Sequence, residues 1–211
     1  MDIAVVTAIY GDYDPIPPLP PGFNQYIIVT DKPVTSDWYN IVMPPFSNNP
    51  RLSSKLPRMR PDLFCSTEYS VWMDATLRDR NGWIAENARR MFKEGREFIT
   101  WEHPERKCLF EEAAFSMNVE KYKDQPIEQQ ARYYSMKGMP EQWGLYANGT
   151  IARKHTDRIK DLGNEWLLHN IMWSIQDQVS LSYVLWSRGI RPSVWPAHQH
   201  SGVVGWDGGH H

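Results

Sequence analysis

Residues Ile3 to Ile9 form an unbroken apolar run, rich in β-branched side chains, that stops at Gly11-Asp12. A run with no polar face has nothing to offer water, so it suits a strand buried on both sides at the centre of a parallel sheet. Further strands are predicted at Tyr26 to Val29, Trp38 to Met43, Tyr69 to Met73 and Phe98 to Trp101, with one at Leu145 to Ala152 interrupted by Asn148-Gly149. Pro15 to Pro21 can be neither helix nor central strand and reads as an extended surface loop.

Helices are predicted between the strands. Asn48 to Met59 is helical but short or broken, because Pro57 and Pro61 interrupt it. Trp83 to Phe92 is amphipathic, with Asn81 at hand near its start, and Glu111 to Tyr122 and Ile127 to Met136 follow, the latter stopped by Gly138 and Pro140. Trp166 to Trp186 reads as one long helix ended by Gly189. Alternating strands and helices without an internal repeat predict an α/β fold, Rossmann-like, with a mixed, mostly parallel sheet flanked by helices.

The 211 residues suffice for one substantial core, so a single domain over residues 1–207 is expected, with 208–211 a tag remnant or flexible tail. Lys and Arg total 23 against 25 Asp and Glu, which removes a global charge excess as a reason to bind nucleic acid or an anionic membrane. Cys65 and Cys108 lie far apart and read as buried thiols, not as a zinc ribbon or a disulfide framework. The N-terminus has an acid where a signal peptide needs base, and no run approaches the ~18 apolar residues of a membrane span. No membrane partner and a cytoplasmic location are expected. The ten tryptophans read first as core and only then as platforms for sugar rings.

Several constellations can carry chemistry. Asp74 ends the strand Tyr69 to Met73, where ligands of open α/β sheets bind. A carboxylate there can hold Mn²⁺ or Mg²⁺ across phosphate oxygens, although Thr76 stands where a paired acid would strengthen such a site, and a loop-ordering role is the alternative. Arg51, Lys55 and Arg58 share one helix face and suit phosphate oxygens, or form a solvated face. His103, Arg106, Glu111 and Glu112 crowd one segment, and adjacent acids on a helix point apart, so only one of the two glutamates faces a site. Gln176-Asp177-Gln178 lies in an otherwise apolar stretch, at a cavity or at a surface turn. His198 and His200 can both reach one metal from an extended segment.

In order and spacing, six segments resemble the plant mucilage and turgor-related glycosyltransferase-like domain family, once labelled a domain of unknown function and found in plants, bacteria and phages. They are Val6 to Asp14, Arg51 to Pro57, Tyr69 to Asp74, His103 to Ala113, Gly144 to Tyr146 and Asp177 to Ser180. The family is similar to GT-A transferases, so the resemblance implies a GT-A fold and transfer of a sugar from a nucleotide-sugar donor. It implies that Thr7, Ala8 and Tyr10 line the nucleotide, that Asp31 lies near base or ribose, and that Arg51 and Lys55 approach the diphosphate. Asp74 falls at the metal or donor-sugar position, with Mn²⁺ or Mg²⁺ as the implied cofactor.

By likeness to glycogenin-like enzymes, Asp177 is the implied catalytic carboxylate, Gln178 its neighbour on the donor sugar, and retention the implied outcome. His103, Arg106, Glu111, Glu112 and Asn148 are implied to contact donor or acceptor. The acceptor is a glycan or, given the phage members, a modified nucleotide or DNA base, in a bacterial or phage-infected cytoplasm. The sequence departs from the family twice, at Thr76 and at Gln176, where Arg is common. Two alternatives stand beside this reading: a metal-dependent hydrolase built on Asp74, His103 and His198 or His200, and a nucleotide-sugar-binding module without catalysis.

Overall fold

The computed structural model describes residues 1–197 and 202–206. In chain order the elements are β1 (Ile3–Ile9), β2 (Gln25–Thr30), β3 (Tyr39–Val42), α1 (Pro50–Ser53), α2 (Lys55–Met59), β4 (Tyr69–Met73), β5 (Leu77–Arg78), α3 (Trp83–Lys93) and β6 (Phe98–Glu102). They continue with α4 (Leu109–Ser116), α5 (Ile127–Met136), β7 (Tyr146–Lys154), α6 (Asp157–Met172), α7 (Asp177–Ser187), β8 (Ser193–Val194) and β9 (Gly205–Trp206). Seven strands form one sheet in the order β3-β2-β1-β4-β7-β6-β8, and β5 pairs with β9 apart from it. β1 to β4 are mutually parallel, whereas β7 runs antiparallel to both β4 and β6. The fold is thus α/β and Rossmann-like, with the mixed, mostly parallel sheet that the alternation predicts.

Every residue of β1 is buried, as its apolar run requires. Its period of two sends Ala4, Val6 and Ala8 to a core shared with Met59, Trp166 and Val179, and Ile3, Val5 and Ile9 to a second core with Ile84, Ala88 and Phe92. The sheet therefore has a core on each face, and β1 belongs to both. β2 and β3 lie to one side of β1 and β4 to the other. The strand order reverses between β1 and β4, and a crevice opens beyond their C-terminal ends at such a switch point.

Four local expectations differ from the structure, the first being that β7 runs unbroken through Asn148-Gly149, whereas the break expected before Met59 is present. Asn48 to Met59 is two turns meeting at Ser54, with Asn49 Oδ1 accepting from Arg51 N–H at 3.0 Å and Pro57 held in the first turn of α2, where its missing N–H costs nothing. Asp79, not Asn81, caps α3, its carboxylate accepting from Trp83 and Ile84 N–H at 3.0 and 2.8 Å. Glu111 to Tyr122 is the end of α4 followed by a single 3₁₀ turn at Glu120–Tyr122.

The fourth difference matters most for the site. Trp166 to Trp186 is not one helix, because α6 ends at Met172 and α7 begins at Asp177. Neither Gly nor Pro marks this break; tertiary partners make it. Ser174 Oγ donates to Gln130 Oε1 at 2.5 Å, Ile175 N–H to Gln125 Oε1 at 2.8 Å, and Gln176 becomes the N-cap of α7. Buried Trp166 secures the corner from α6, its Nε1 lying 3.0 Å from the Asp177 carbonyl and 3.1 Å from Ser180 Oγ, to both of which it donates. Among the described residues no helix is long and apolar enough to cross a membrane.

Candidate active site

The crevice beyond β1 and β4 is a cleft of about 650 Å³. Ala8 and Tyr10 enter it from β1 and its following loop, Arg51, Lys55 and Arg58 from α1 and α2, Asp74 from the end of β4, Asn148 from β7, and Gln176, Asp177 and Gln178 from the start of α7. His103 and the 3₁₀ residues Lys121 and Tyr122 complete the rim. Segments separated by more than a hundred residues thus meet on one carboxylate.

That carboxylate is Asp177. Lys55 Nζ donates to its Oδ2 at 2.5 Å, Arg58 donates to the same oxygen, and Asn148 Nδ2 donates to Oδ1 at 3.3 Å. Burial opposes the charge on Asp177, but Lys55 and Arg58 outweigh it and hold the carboxyl well below the usual range, so it is ionised. Lys55 is pulled down to about 8 by burial, with Arg58 beside it adding to the shift against Asp177. Arg58 also donates to Asp74 Oδ1, the atom that Trp72 Nε1 reaches at 2.8 Å, and its guanidinium lies 5.0 Å from the centre of the Trp72 ring. Burial lowers the Arg58 pKa, yet Asp74 and Asp177 together raise it above the ordinary arginine value.

Two cations of the cleft have no carboxylate of their own among the described residues. Arg51 stacks on Tyr13, 4.3 Å from the ring centre, and bonds to its hydroxyl. Lys121 lies 4.8 Å from the Tyr122 ring centre, and its pKa is lowered by burial and then by the charge of Arg51. Two positive groups that disfavour one another across a cleft form a site for an anion.

Behind this surface, Glu112 is buried and connects the two segments that the sequence left separate. It accepts from Arg106 Nε at 2.5 Å and from Gln176 Nε2 at 2.6 Å, while Gln176 Oε1 accepts from Gln178 N–H at 3.5 Å at the head of α7. Gln176 therefore orders the turn that carries Asp177. Glu111 points to the outside, taking Lys107 N–H and Gln142, so Glu112 is the glutamate that faces inward. His103 turns Nδ1 to the backbone N–H groups of Glu105 and Arg106 and Nε2 towards Glu112, 3.7 Å away.

Five expected site residues lie outside the cleft lining, Glu111 and Glu112 as just described and three more. Thr7 points to the opposite face of β1 from Ala8 and lines a separate pocket of about 300 Å³, walled by Pro17 to Pro21, Trp38 and Leu77 and reaching Asp74. Asp31 accepts from Gly11 N–H at 2.9 Å and so orders the loop after β1, without lining either cavity. Arg106 serves Glu112 and stacks on Phe115, also outside the cleft lining. His198 and His200 lie outside the described residues. Arg58, by contrast, is central; its place on the Arg51–Lys55 face was readable from spacing, but not that it would turn inward. Lys121 and Tyr122 carried no sequence signal.

Among the described residues the donor set does not match a divalent ion. Among the described residues no three His, Cys, Asp or Glu side chains form a group that could hold a metal. The two carboxylates that approach each other are already bridged by Arg58. A dication between them would stand beside the guanidinium, and even unit charges about 4 Å apart repel by about 4 kcal/mol near a protein surface.

A Rossmann-like α/β domain with a cation-lined cleft at its strand switch point is the class that fold and site define. The family described as "TOD1/MUCI70, glycosyltransferase-like domain" matches residues 28–192, well over half of the chain, and the protein belongs to that family. The matched span includes Arg51 to Arg58, Asp74, Glu112, Asn148 and Asp177. No curated protein matches the chain.

Proposed function

We propose that the protein is a glycosyltransferase that takes a nucleotide-sugar donor in the cleft, with the diphosphate against Arg51, Lys55, Arg58 and Lys121 and the sugar against Asp177, Gln178 and Asn148. The observation that carries this reading is the ionised Asp177 on the cleft wall, compensated by two cations and overlooked by two more that have no carboxylate partner among the described residues. Nucleotide-sugar chemistry needs both halves of that arrangement.

In the transfer, the bond from the anomeric carbon to the β-phosphate oxygen breaks and its electron pair stays on the phosphate. The acceptor hydroxyl oxygen makes the new bond, and its proton passes to the departing diphosphate. The cations stabilise charge gathering on the leaving group, the largest single contribution expected of such a site. Asp177 stabilises the positive charge that develops at the anomeric carbon, and because it stays ionised it does so across the neutral pH range. Ala8 and Tyr10 contribute the nucleoside end of the cleft. The acceptor, a glycan or a modified nucleotide, approaches from the open rim.

The hydrolase alternative gains nothing here, because His103 is turned to backbone N–H groups and Glu112. The test is donor turnover, followed as release of nucleoside diphosphate from UDP-, GDP- and dTDP-linked sugars. One nucleotide class is expected to be cleaved, and Asp177→Asn is expected to lower kcat by about a hundredfold or more while the donor still binds. Equal turnover by Asp177→Asn would remove Asp177 from the chemistry. Turnover of no nucleotide sugar, with binding intact, would leave a binding module.

A further inference from the structure

We infer that the cleft binds the diphosphate of its donor without a divalent metal, because Arg58 occupies the position between Asp74 and Asp177 that a bridging cation would take. This binding mode rests on the nucleotide-sugar reading given above and narrows it.

The guanidinium is a planar fork, and its two terminal nitrogens reach different carboxylates: Nη1 donates to Asp177 Oδ2 and Nη2 to Asp74 Oδ1. Its orientation is fixed from a third side by the Trp72 ring, 5.0 Å away, and the same indole donates to Asp74 at 2.8 Å. Three of the four oxygens of the two carboxylates are occupied in this way or by Lys55 and Asn148. Magnesium and manganese need such oxygens free, commonly with water and phosphate filling the rest of an octahedron.

Charge points in the same direction. The cleft lining holds four cations, Arg51, Lys55, Arg58 and Lys121, against the three carboxylates of Asp14, Asp74 and Asp177. The excess is positive before any ligand arrives and is concentrated at Arg51 and Lys121. A dication would add to that excess, whereas a diphosphate cancels it. Thr76 fits the same logic: a second acid two residues after Asp74 would serve a metal, and where Arg58 already bridges, a neutral residue suffices.

The experiment is isothermal titration of the full chain with UDP, GDP and dTDP, each in EDTA and again in Mn²⁺, repeated for Asp74→Asn, Arg51→Ala and Lys121→Ala. One nucleoside diphosphate is expected to bind with an affinity that agrees within about threefold between EDTA and Mn²⁺, and Arg51→Ala and Lys121→Ala are each expected to weaken it about tenfold. Asp74→Asn is expected to bind in EDTA as well as the native chain or better, since it removes a negative charge from the cleft. Binding that appears only with Mn²⁺ and vanishes in Asp74→Asn would overturn the metal-free mode and leave the glycosyltransferase reading standing. Absence of binding by all three nucleotides under both conditions, from a chain whose thermal unfolding remains cooperative, would overturn the two together.

Discussion

Arg58, on α2, and Arg153, against the end of α2, are both withdrawn from water, yet they stand in opposite electrostatic circumstances. Arg58 meets two carboxylates, which raise its pKa above the ordinary arginine value in spite of burial. Arg153, on β7 and 2% exposed, meets no carboxylate among the described residues. Its Nη1 donates to the Met59 carbonyl at 3.0 Å, its guanidinium lies 5.5 Å from the Phe98 ring centre, and its Nε and Nη2 have no partner. Burial pulls it down to about 9, against a weaker upward pull from Asp62. An arginine stays charged at neutral pH, so that low value measures a cost to folding and not a loss of the proton. The cleft therefore holds charge that is compensated and can be redirected to a ligand, while the interior holds charge that joins α2 to the sheet at a net expense.

The sharpest way to break this comparison is to remove each guanidinium in turn. Arg58→Met leaves Asp74 and Asp177 facing each other with Lys55 alone between them and the protein interior, and is expected to cost about 3–5 kcal/mol in urea unfolding. Arg153→Met exchanges an uncompensated charge for an apolar chain of similar length and loses one bond to a carbonyl, so its stability is expected to stay within about 1 kcal/mol of the native chain. Equal losses at the two positions would show that the carboxylates of the cleft do not distinguish them.

A smaller effect sharpens the cleft side through pH. Lys55 holds its proton below about 8 and loses it above, so kcat/KM for the donor is expected to fall as pH rises through about 8, and Lys55→Arg is expected to move that limb upward. The sign for stability is the reverse. An unfolded lysine keeps its proton to its ordinary value of 10.5, so the unfolded state binds more protons between about 8 and 10.5, and this residue makes the fold more stable with rising pH over that window. Opposite slopes in activity and unfolding free energy identify Lys55; parallel slopes would assign the limb to another group.

The sheet was legible where hydrophobic period decides the outcome. β1, β4 and β6 lie within a residue or so of the predicted spans, and Asp74 follows from the end of β4. The carboxylate Asp177 was legible as an acid in apolar surroundings, but its position at the head of a helix was not. The break before it is made by Gln130, Gln125 and Glu112, which are distant in sequence and leave no local mark. Thr7 and Ala8 show a further limit: consecutive residues of a strand face opposite ways, so a motif that names both cannot place both in one cavity. Arg58 shows another, since an inward and an outward cationic face have the same spacing until the acids opposite are known.

β7 runs against both neighbours, and this brings an early residue of the strand, not the loop after it, to the cleft. Asn148 reaches Asp177 from between Ala147, whose carbonyl accepts from Thr100 Oγ1 at 2.9 Å, and Gly149, whose carbonyl accepts from Asp74 N–H at 2.8 Å. Its backbone has no freedom left to lose when a sugar arrives, because that freedom was lost when the chain folded. In the proposed reading the sugar end of the cleft is thus a fixed wall, and adaptation to new acceptors falls to the open rim, away from the cations that hold the diphosphate.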